Sequence, residues 1–394
     1  EKLSTLYTHQ RRVLGKIIDS RRLMVILPDD KRSSIIDLLY KWMHMRTFLI
    51  LEGAQLIGTL DNISTMCRWG RTQYFAILNT FRKIVTARYQ ILRRHMVKSK
   101  NTRLLKARLP PNLAKRFHSI FACKMAAALW KDKTAISIDL AIHQQLRTLH
   151  AYLSNPSNPW EQSIAHYIDR DPTFISTGDA SQLSMGAFSH ELRFWTCVDY
   201  DAPLRNRFAL NPNDSGYMHI NLFEFAILIV QLAAAITHWE AQQPAYSTTY
   251  PRIRFMSDNT TSISWASKLS SKKLGGQALV RVWSALLKRT TLDVDIVHIP
   301  GVTNTTADAI SRPDSNASSL IYPRLSKLFR IEPELESWTF FRPNPTLLST
   351  LASALSYPSC LDVVSLPKEL GRFETADSTT SASASMPVLH LLPG

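Results

Sequence analysis

The chain has 394 residues, of which 45% are hydrophobic, so it can fold into two or three domains and wholesale disorder is excluded. Its 47 Lys and Arg residues outnumber its 31 Asp and Glu residues, and the resulting net charge of +16 favours a polyanionic partner. The four cysteines lie far apart, which argues against a zinc finger or a disulfide-rich secreted fold.

In the first part of the chain, residues 11–27 alternate in polarity and predict a β-hairpin with a turn near Asp19. The Pro28-Asp29 step then predicts a helix start. Apolar residues at helical spacing predict further helices at about 52–67, 71–95 and 111–153, and the segment SNPSNPW at 154–160 predicts a loop.

The positive charge is concentrated in this part of the chain. Residues 1–116 hold 24 Lys and Arg but only 7 Asp and Glu, whereas the rest of the chain holds 23 and 24. Such a surface would bind phosphates and release counterions, which favours a nucleic acid as partner. The alternative is a solvated helical face that binds no ligand.

From about residue 170, strands alternate with helices, which indicates an α/β sheet. The predicted strands begin near Thr173, Ile253 and Val294, and a second apolar run spans Met185 to Val198. The predicted helices lie at about 222–239, 260–269, 274–290 and just after Asn304. After Pro313 the signal weakens to one helix at 343–356 and a low-complexity segment at 374–386.

The longest apolar stretch, residues 225–236, is shorter than the roughly 20 residues that cross a bilayer, so no transmembrane segment is predicted. The chain opens with Glu1 and Lys2 and shows no signal peptide. We interpret it as a piece of a longer protein.

Four carboxylates stand at unusual places in the α/β region. Asp179 follows a predicted strand, Asp258 ends another, and Asp308 lies in the first turn of a helix. Glu224 is the only acidic residue between positions 222 and 239 of an apolar helix, so it should be buried.

Each carboxylate also has an ordinary structural interpretation. Asp179 could be a turn residue, and Asp258 could cap the following helix. Glu224 could form a capping box with Asn221, and Asp308 could interact favourably with a helix dipole.

These structural interpretations leave unexplained why three of the four carboxylates lie near strand ends, where α/β sheets place their functional residues. Four converging carboxylates could hold two divalent ions that activate water for phosphodiester cleavage. Their hard oxygen ligands suit two Mg²⁺ ions, with Mn²⁺ as the alternative.

Four sequence blocks in order resemble the ribonuclease H domain of retroelement reverse transcriptases, especially the gypsy-like and DIRS-like lineages. The blocks are GDASQLSMGA at 178–187, INLFEFAIL at 220–228, MSDNTTSISWASK at 256–268 and HIPGVTNTTADAISR at 298–312. They are similar to the family patterns TDASxxGxGA, a block ending in ELxA, TDNxxxVxxxxxK and HIPGxxNxxADxLSR. Three positions depart from these patterns, since Gly178 replaces Thr, Ser184 replaces Gly and Phe225 replaces Leu.

The resemblance implies a ribonuclease H-like mixed five-stranded sheet with flanking helices. It also implies cleavage of the RNA strand of an RNA–DNA hybrid by water, with in-line attack that leaves 3′-hydroxyl and 5′-phosphate ends. In this reading Asp179 bridges both ions, Glu224 and Asp258 hold one of them, and Asp308 holds the other. His298 would assist product release or proton transfer, or it could be an ordinary residue at a strand end.

The upstream part resembles the same proteins more weakly. The resulting domain prediction is a palm remnant with a primer-grip-like hairpin (1–27), a helical basic thumb or connection (28–153), the ribonuclease H-like domain (165–313) and a partly disordered extension (314–394). Phosphate-facing residues would be Arg68, Arg71, Arg82 and Lys83, unless they form a solvated helix face. The basic region would hold the duplex upstream of the cut.

No polymerase site is predicted, because residues 1–116 lack an aromatic-x-Asp-Asp hairpin. The expected partners are an RNA–DNA hybrid and the missing fingers and palm of the reverse transcriptase, in the cytoplasm or nucleus and without a membrane. Two alternatives stay open: a degenerate remnant that binds nucleic acid without cutting it and, ranked lower, an integrase or transposase.

Overall fold

The computed structural model describes residues 9–66, 70–98, 127–158, 160–212, 214, 216–242, 251–271, 273–312, 329–330, 332–356, 364, 366–375 and 385–392. The chain divides into two compact units, which we call unit 1 (Glu1–Gln162) and unit 2 (Ser163–Gly394). The four carboxylates of interest all belong to unit 2.

Unit 1 begins with three short antiparallel strands where the sequence predicted one hairpin. They are β1 (Gln10–Val13), β2 (Lys16–Asp19) and β3 (Met24–Ile26). The first turn, at Leu14 and Gly15, has φ angles of 48° and 75°, as tight hairpin turns require. The turn predicted near Asp19 is the second one, and there the Asp19 carboxylate accepts from the backbone N–H groups of Arg21 and Arg22.

The rest of the described part of unit 1 is mainly helical. Among its described elements are the helices α1 (Asp29–His44), α2 (Ile50–Ser64), α3 (Phe75–Lys98) and α4 (Leu140–Ser154) and the short strands β4 (Thr47–Phe48), β5 (Ile136–Ser137) and β6 (Glu161–Ser163). The single helix predicted at 111–153 is wrong, because residues 132–139 are not helical and β5 pairs with β4 there. Residues 111–126 of that prediction lie outside the described residues. Helix α4 starts where the Asp139 carboxylate accepts from the N–H of Ile142.

Within the described residues, unit 2 is built on a mixed sheet of eight strands. They are β7 (Phe174–Ala180), β8 (Ser184–Ser189), β9 (Phe194–Tyr200), β10 (Arg252–Ser257), β11 (Asp293–His298), β12 (Thr339–Pro343), β13 (Gly371–Glu374) and β14 (Val388–Leu389). Their order is β11-β10-β7-β8-β9-β12-β13, and β14 pairs with β9 as well.

Strand direction divides this sheet into two parts. Strands β7, β8 and β9 form an antiparallel meander. Strand β10 lies between β7 and β11 and is parallel to both. The carboxyl ends of β7, β10 and β11 therefore lie at one edge of the sheet, where α/β proteins place their binding sites.

Helices flank the sheet of unit 2. Those that the described residues define are α5 (Ala202–Phe208), α6 (Ile220–Gln242), α7 (Thr260–Lys268), α8 (Leu274–Arg289), α9 (Thr305–Ser311) and α10 (Pro345–Ser356). Alternate residues of a strand point to opposite faces of a sheet. Phe194 and Val198 accordingly join the core of α6 and α8, whereas Trp195 and Cys197 pack with Ile310 of α9.

Helix α6 is the centre of the core, and every residue from Phe223 to Ile236 is buried. It is longer than the sequence predicted, since it begins two residues earlier and ends at Gln242. By length and composition α6 could cross a membrane, but 78% of its most apolar window is buried inside the protein. Core helices of folded domains pass the same length and composition criteria.

The sheet exceeds the predicted five strands because residues beyond 313 extend it. Strand β12 pairs in parallel with the start of β9, and β14 pairs in parallel with its end. Strand β13 then pairs antiparallel with β12. These pairings cover an edge of β9 that would otherwise expose unpaired backbone groups. Most of the low-complexity segment predicted at 374–386 lies outside the described residues.

Candidate metal centre

Three predicted carboxylates meet at the carboxyl edge of the parallel strands. Asp179 lies near the end of β7, Asp258 directly follows β10, and Glu224 lies in the second turn of α6, which packs on β7. One carboxylate oxygen from each residue lies within 4.8 Å of the others. Residues far apart in the sequence thus form one acidic cluster, which we call the carboxylate triad.

The structural alternatives for these three residues are wrong. Asp179 lies within β7 opposite Gly186 of β8 and is not a turn residue. The cap of α7 is Asn259, whose side chain accepts from the N–H of Ser262, so Asp258 is free of that role. Helix α6 begins before Asn221, which removes the predicted capping box for Glu224.

Burial and mutual repulsion disfavour ionisation of the triad. Burial is the main cause that raises the pKa of Glu224 from 4.5 to about 9, and the charges of Asp179 and Asp258 add to it. Burial likewise raises the pKa of Asp179 from 3.8 to about 6, against a hydrogen bond from Ser311 that lowers it. One oxygen of Glu224, Oε2, is buried and has no hydrogen-bond partner among the described residues.

A cation would remove this repulsion and satisfy the unpaired oxygen. The three ligand atoms are carboxylate oxygens, the donors that hard divalent cations prefer. Their spacing allows a single ion to contact all three residues. The carboxylate triad can therefore bind a metal ion.

Asp308 lies beside the triad but is not a member of it. It stands in the first turn of α9, as predicted, and its charge raises the pKa values of Asp179 and Glu224. One of its oxygens, Oδ1, forms an ion pair with Arg312 Nη2 at 2.6 Å. A favourable interaction with the dipole of α9 remains compatible with this position.

His298 is the last residue of β11 and is exposed. In the sheet it lies opposite Ser257, the residue before Asp258. The structure thus places it at the same edge as the triad, outside the three-carboxylate cluster.

Two departures from the family patterns have local explanations. Gly178 lies against the Gln231 side chain, where an added Cβ would come within 2.9 Å of Nε2. Ser184, which replaces a glycine, donates from Oγ to the carbonyl oxygen of Ser311 at 2.7 Å. The serine therefore ties β8 to the end of α9.

Sequence reasoning missed two side chains near the triad. Ser311 Oγ donates to Asp179 Oδ2 at 2.7 Å, and Arg312 pairs with Asp308. Both lie within one turn of Asp308 on a predicted helix, since residues three and four apart share a helix face. That spacing places both side chains near Asp308, but it does not indicate the contact of Ser311 with Asp179.

The predicted phosphate-facing residues lie in unit 1. Arg82 and Lys83 are exposed on α3. Arg71 lies in a 3₁₀ turn at Gly70–Tyr74, but its side chain lies outside the described part of the chain, as does all of Arg68. Arg88, which also lies on α3, instead forms an ion pair with Asp132 at 2.8 Å.

Comparison with protein-family models and with curated proteins found no match.

Proposed function

We propose that this protein is a metal-dependent endonuclease that hydrolyses the RNA strand of RNA–DNA hybrids, as part of a retrotransposon reverse transcriptase. The observation that carries the proposal is the convergence of Asp179, Glu224 and Asp258 within 4.8 Å at one sheet edge. These residues come from three of the four sequence blocks that resemble retroelement ribonuclease H.

The sheet topology supports a ribonuclease H-like fold. The five strands that carry or adjoin the four blocks, β7 to β11, are contiguous in one mixed sheet. The resemblance implies a mixed five-stranded sheet of this kind, and the additional strands β12 to β14 attach beyond β9. The strands of the proposed catalytic core are thus uninterrupted.

We propose that this site holds a pair of Mg²⁺ ions, with Mn²⁺ as the alternative. Glu224 and Asp258 would hold one ion, Asp308 would hold the other, and Asp179 would contact both. When bound, the ions supply an activated water and stabilise the leaving oxygen. Before binding, Glu224 must release a proton because its pKa is about 9.

Unit 1 would contribute affinity for the hybrid. The exposed Arg82 and Lys83 on α3 offer cationic groups to phosphates without reading sequence. Recognition of the hybrid would depend on duplex shape and on the 2′-hydroxyl groups of the RNA strand. His298, exposed beside Asp258 at the sheet edge, could assist proton transfer or product release.

The test is cleavage of an end-labelled RNA–DNA hybrid in Mg²⁺ by the wild-type chain and by Asp258→Asn. We expect the wild type to cut only the RNA strand and Asp258→Asn to reduce cleavage to background, because the amide cannot supply an anionic ligand. The matched control is Asp171→Asn, which makes the same chemical change at an exposed side chain. Its cleavage rate should equal that of the wild type.

Duplex DNA and duplex RNA of the same sequence complete the design. A wild-type chain that binds the hybrid but does not cut it would instead support the non-catalytic remnant. Cleavage that is unchanged in Asp258→Asn would overturn the metal-dependent mechanism.

A further inference from the structure

A buried serine hydroxyl contacts the carboxylate triad from the opposite side of the sheet to α6. Ser311 is fully buried, and its Oγ donates to Asp179 Oδ2 at 2.7 Å. Within β7, Gly178 and Ala180 face α6, so Asp179 between them points to the face covered by α9. The hydroxyl therefore reaches Asp179 Oδ2 from the face of the sheet on which α9 lies.

Close packing of the backbone sets the position of Ser311. Gly186, which pairs with Asp179 across the sheet, has no side chain on the face where α9 lies. A Cβ added at Gly186 would come within 2.4 Å of Ile310 Cγ2 and 2.8 Å of the Ser311 nitrogen. The last turn of α9 thus rests directly on β8.

The carbonyl group of Ser311 is held as well. It accepts from Ser181 Oγ at 2.5 Å and from Ser184 Oγ at 2.7 Å. Ser181 directly follows β7, and Ser184 is the first residue of β8, so the two donors lie on either side of the β7–β8 turn. Backbone and side chain of Ser311 are therefore fixed against the same hairpin that carries Asp179.

The hydroxyl has one hydrogen and two acceptors within reach. Besides Asp179 Oδ2 at 2.7 Å, the carbonyl oxygen of Asp308 lies 2.9 Å from Ser311 Oγ. An ionised carboxylate is the stronger acceptor, and its contact is the shorter one. The serine thus links Asp179 to the helix that carries Asp308.

We infer that Ser311 is a positioning residue that fixes the Asp179 carboxylate for ion binding and couples it to Asp308 on α9. This inference rests on the proposed function, because it assigns Asp179 to a metal site. Residues that hold a metal ligand through a hydrogen bond typically change metal affinity by about 10- to 100-fold when they are removed.

The experiment is a Mn²⁺ titration without nucleic acid, in which electron paramagnetic resonance measures the free ion. Ser311→Ala should weaken Mn²⁺ binding by about 10- to 100-fold. The matched control is Ser176→Ala, which removes an equally buried hydroxyl from β7 that donates to the Phe188 carbonyl and touches no carboxylate. Its Mn²⁺ affinity should stay within about twofold of wild type, well below the expected effect.

A second variant separates positioning from simple loss of packing. Ser311→Cys places a somewhat larger atom at the same position but is a poor donor, so it should weaken Mn²⁺ binding as Ser311→Ala does. Folded Ser311→Ala or Ser311→Cys protein with wild-type Mn²⁺ affinity would overturn the inference and leave the proposed function standing. A wild-type chain that binds no Mn²⁺ would overturn the proposed function, and the inference with it.

Discussion

At the scale of single residues, the Glu224 carboxyl group carries a large electrostatic cost. Its pKa of about 9 exceeds the usual 4.5 because the side chain is buried beside two other acidic residues. Between these two pH values, the unfolded chain releases the proton and the metal-free folded protein keeps it. The free energy of unfolding therefore falls as the pH rises through this window.

Glu224→Gln should accordingly stabilise the metal-free protein. The amide has a similar shape but does not ionise in the unfolded chain, so we expect a gain of about 3 kcal/mol at pH 7. The gain should shrink toward zero near pH 4, where the glutamate is protonated in both states. Urea unfolding in EDTA at pH 4, 7 and 8 measures the difference.

Divalent ions should reverse the order of stability of the wild type and Glu224→Gln. In excess Mn²⁺, the wild type gains stability from ion binding, whereas Glu224→Gln has lost a ligand. Asp171→Asn, at an exposed position, serves as the control and should match the wild type at every pH. A Glu224→Gln protein less stable than the wild type at pH 8 in EDTA would contradict a protonated Glu224.

Sequence reasoning identified the members of the carboxylate triad because a lone carboxylate in an apolar helix or at a strand end is conspicuous. It could not decide between ligand and cap for Asp258, since that choice depends on whether Asp258 or Asn259 is the cap residue. It missed Ser311 because a serine three residues after Asp308 has no distinctive signal until β7 and α9 are packed together.

At the scale of elements, helices and long strands were predicted well because their periodicity is local. The segment from 253 to 310 illustrates this, since β10, α7, α8, β11 and α9 all lie within a few residues of their predicted positions. The turn at Leu14 and the break before α4 were missed, because each depends on one or two backbone conformations and not on periodicity.

The contact between β8 and α9 gives a prediction at this scale. Gly186→Ala should destabilise the protein by about 1–3 kcal/mol, because its Cβ would overlap Ile310 and the Ser311 backbone. The displaced α9 would also move Ser311 and Asp308, so Mn²⁺ affinity should fall together with stability. Urea unfolding and Mn²⁺ titration of the same protein preparation measure both effects.

The control for this substitution is Gly58→Ala. Gly58 is exposed inside α2, and an added Cβ there would meet no atom within 4 Å. Alanine at this position should stabilise the helix by about 0.5–1 kcal/mol. Unchanged stability in Gly186→Ala would mean that α9 does not pack directly on β8.

At the scale of the whole molecule, two features decide what the sequence could predict. The edge of β9 is covered by strands of five and two residues that lie more than 130 residues later in the chain. Such short, distant pairings leave no periodic signal, and the sheet was therefore predicted to be too small. The charge distribution, in contrast, can be read from composition, and it places the positive excess in residues 1–116.

This distribution predicts how hybrid binding depends on salt. Arg82→Ala combined with Lys83→Ala removes two exposed cations of α3. It should weaken hybrid binding and reduce the slope of log K against log salt concentration by about 2, because each lost phosphate contact changes the slope by about 1. Mn²⁺ affinity should not change. Fluorescence anisotropy from 50 to 300 mM KCl (roughly the range where such contacts dominate) measures the slope.

Lys368→Ala with Arg372→Ala removes the same charge from exposed positions in unit 2 and should leave the slope unchanged. Equal slopes for wild type and the α3 variant would show that these residues form a solvated face.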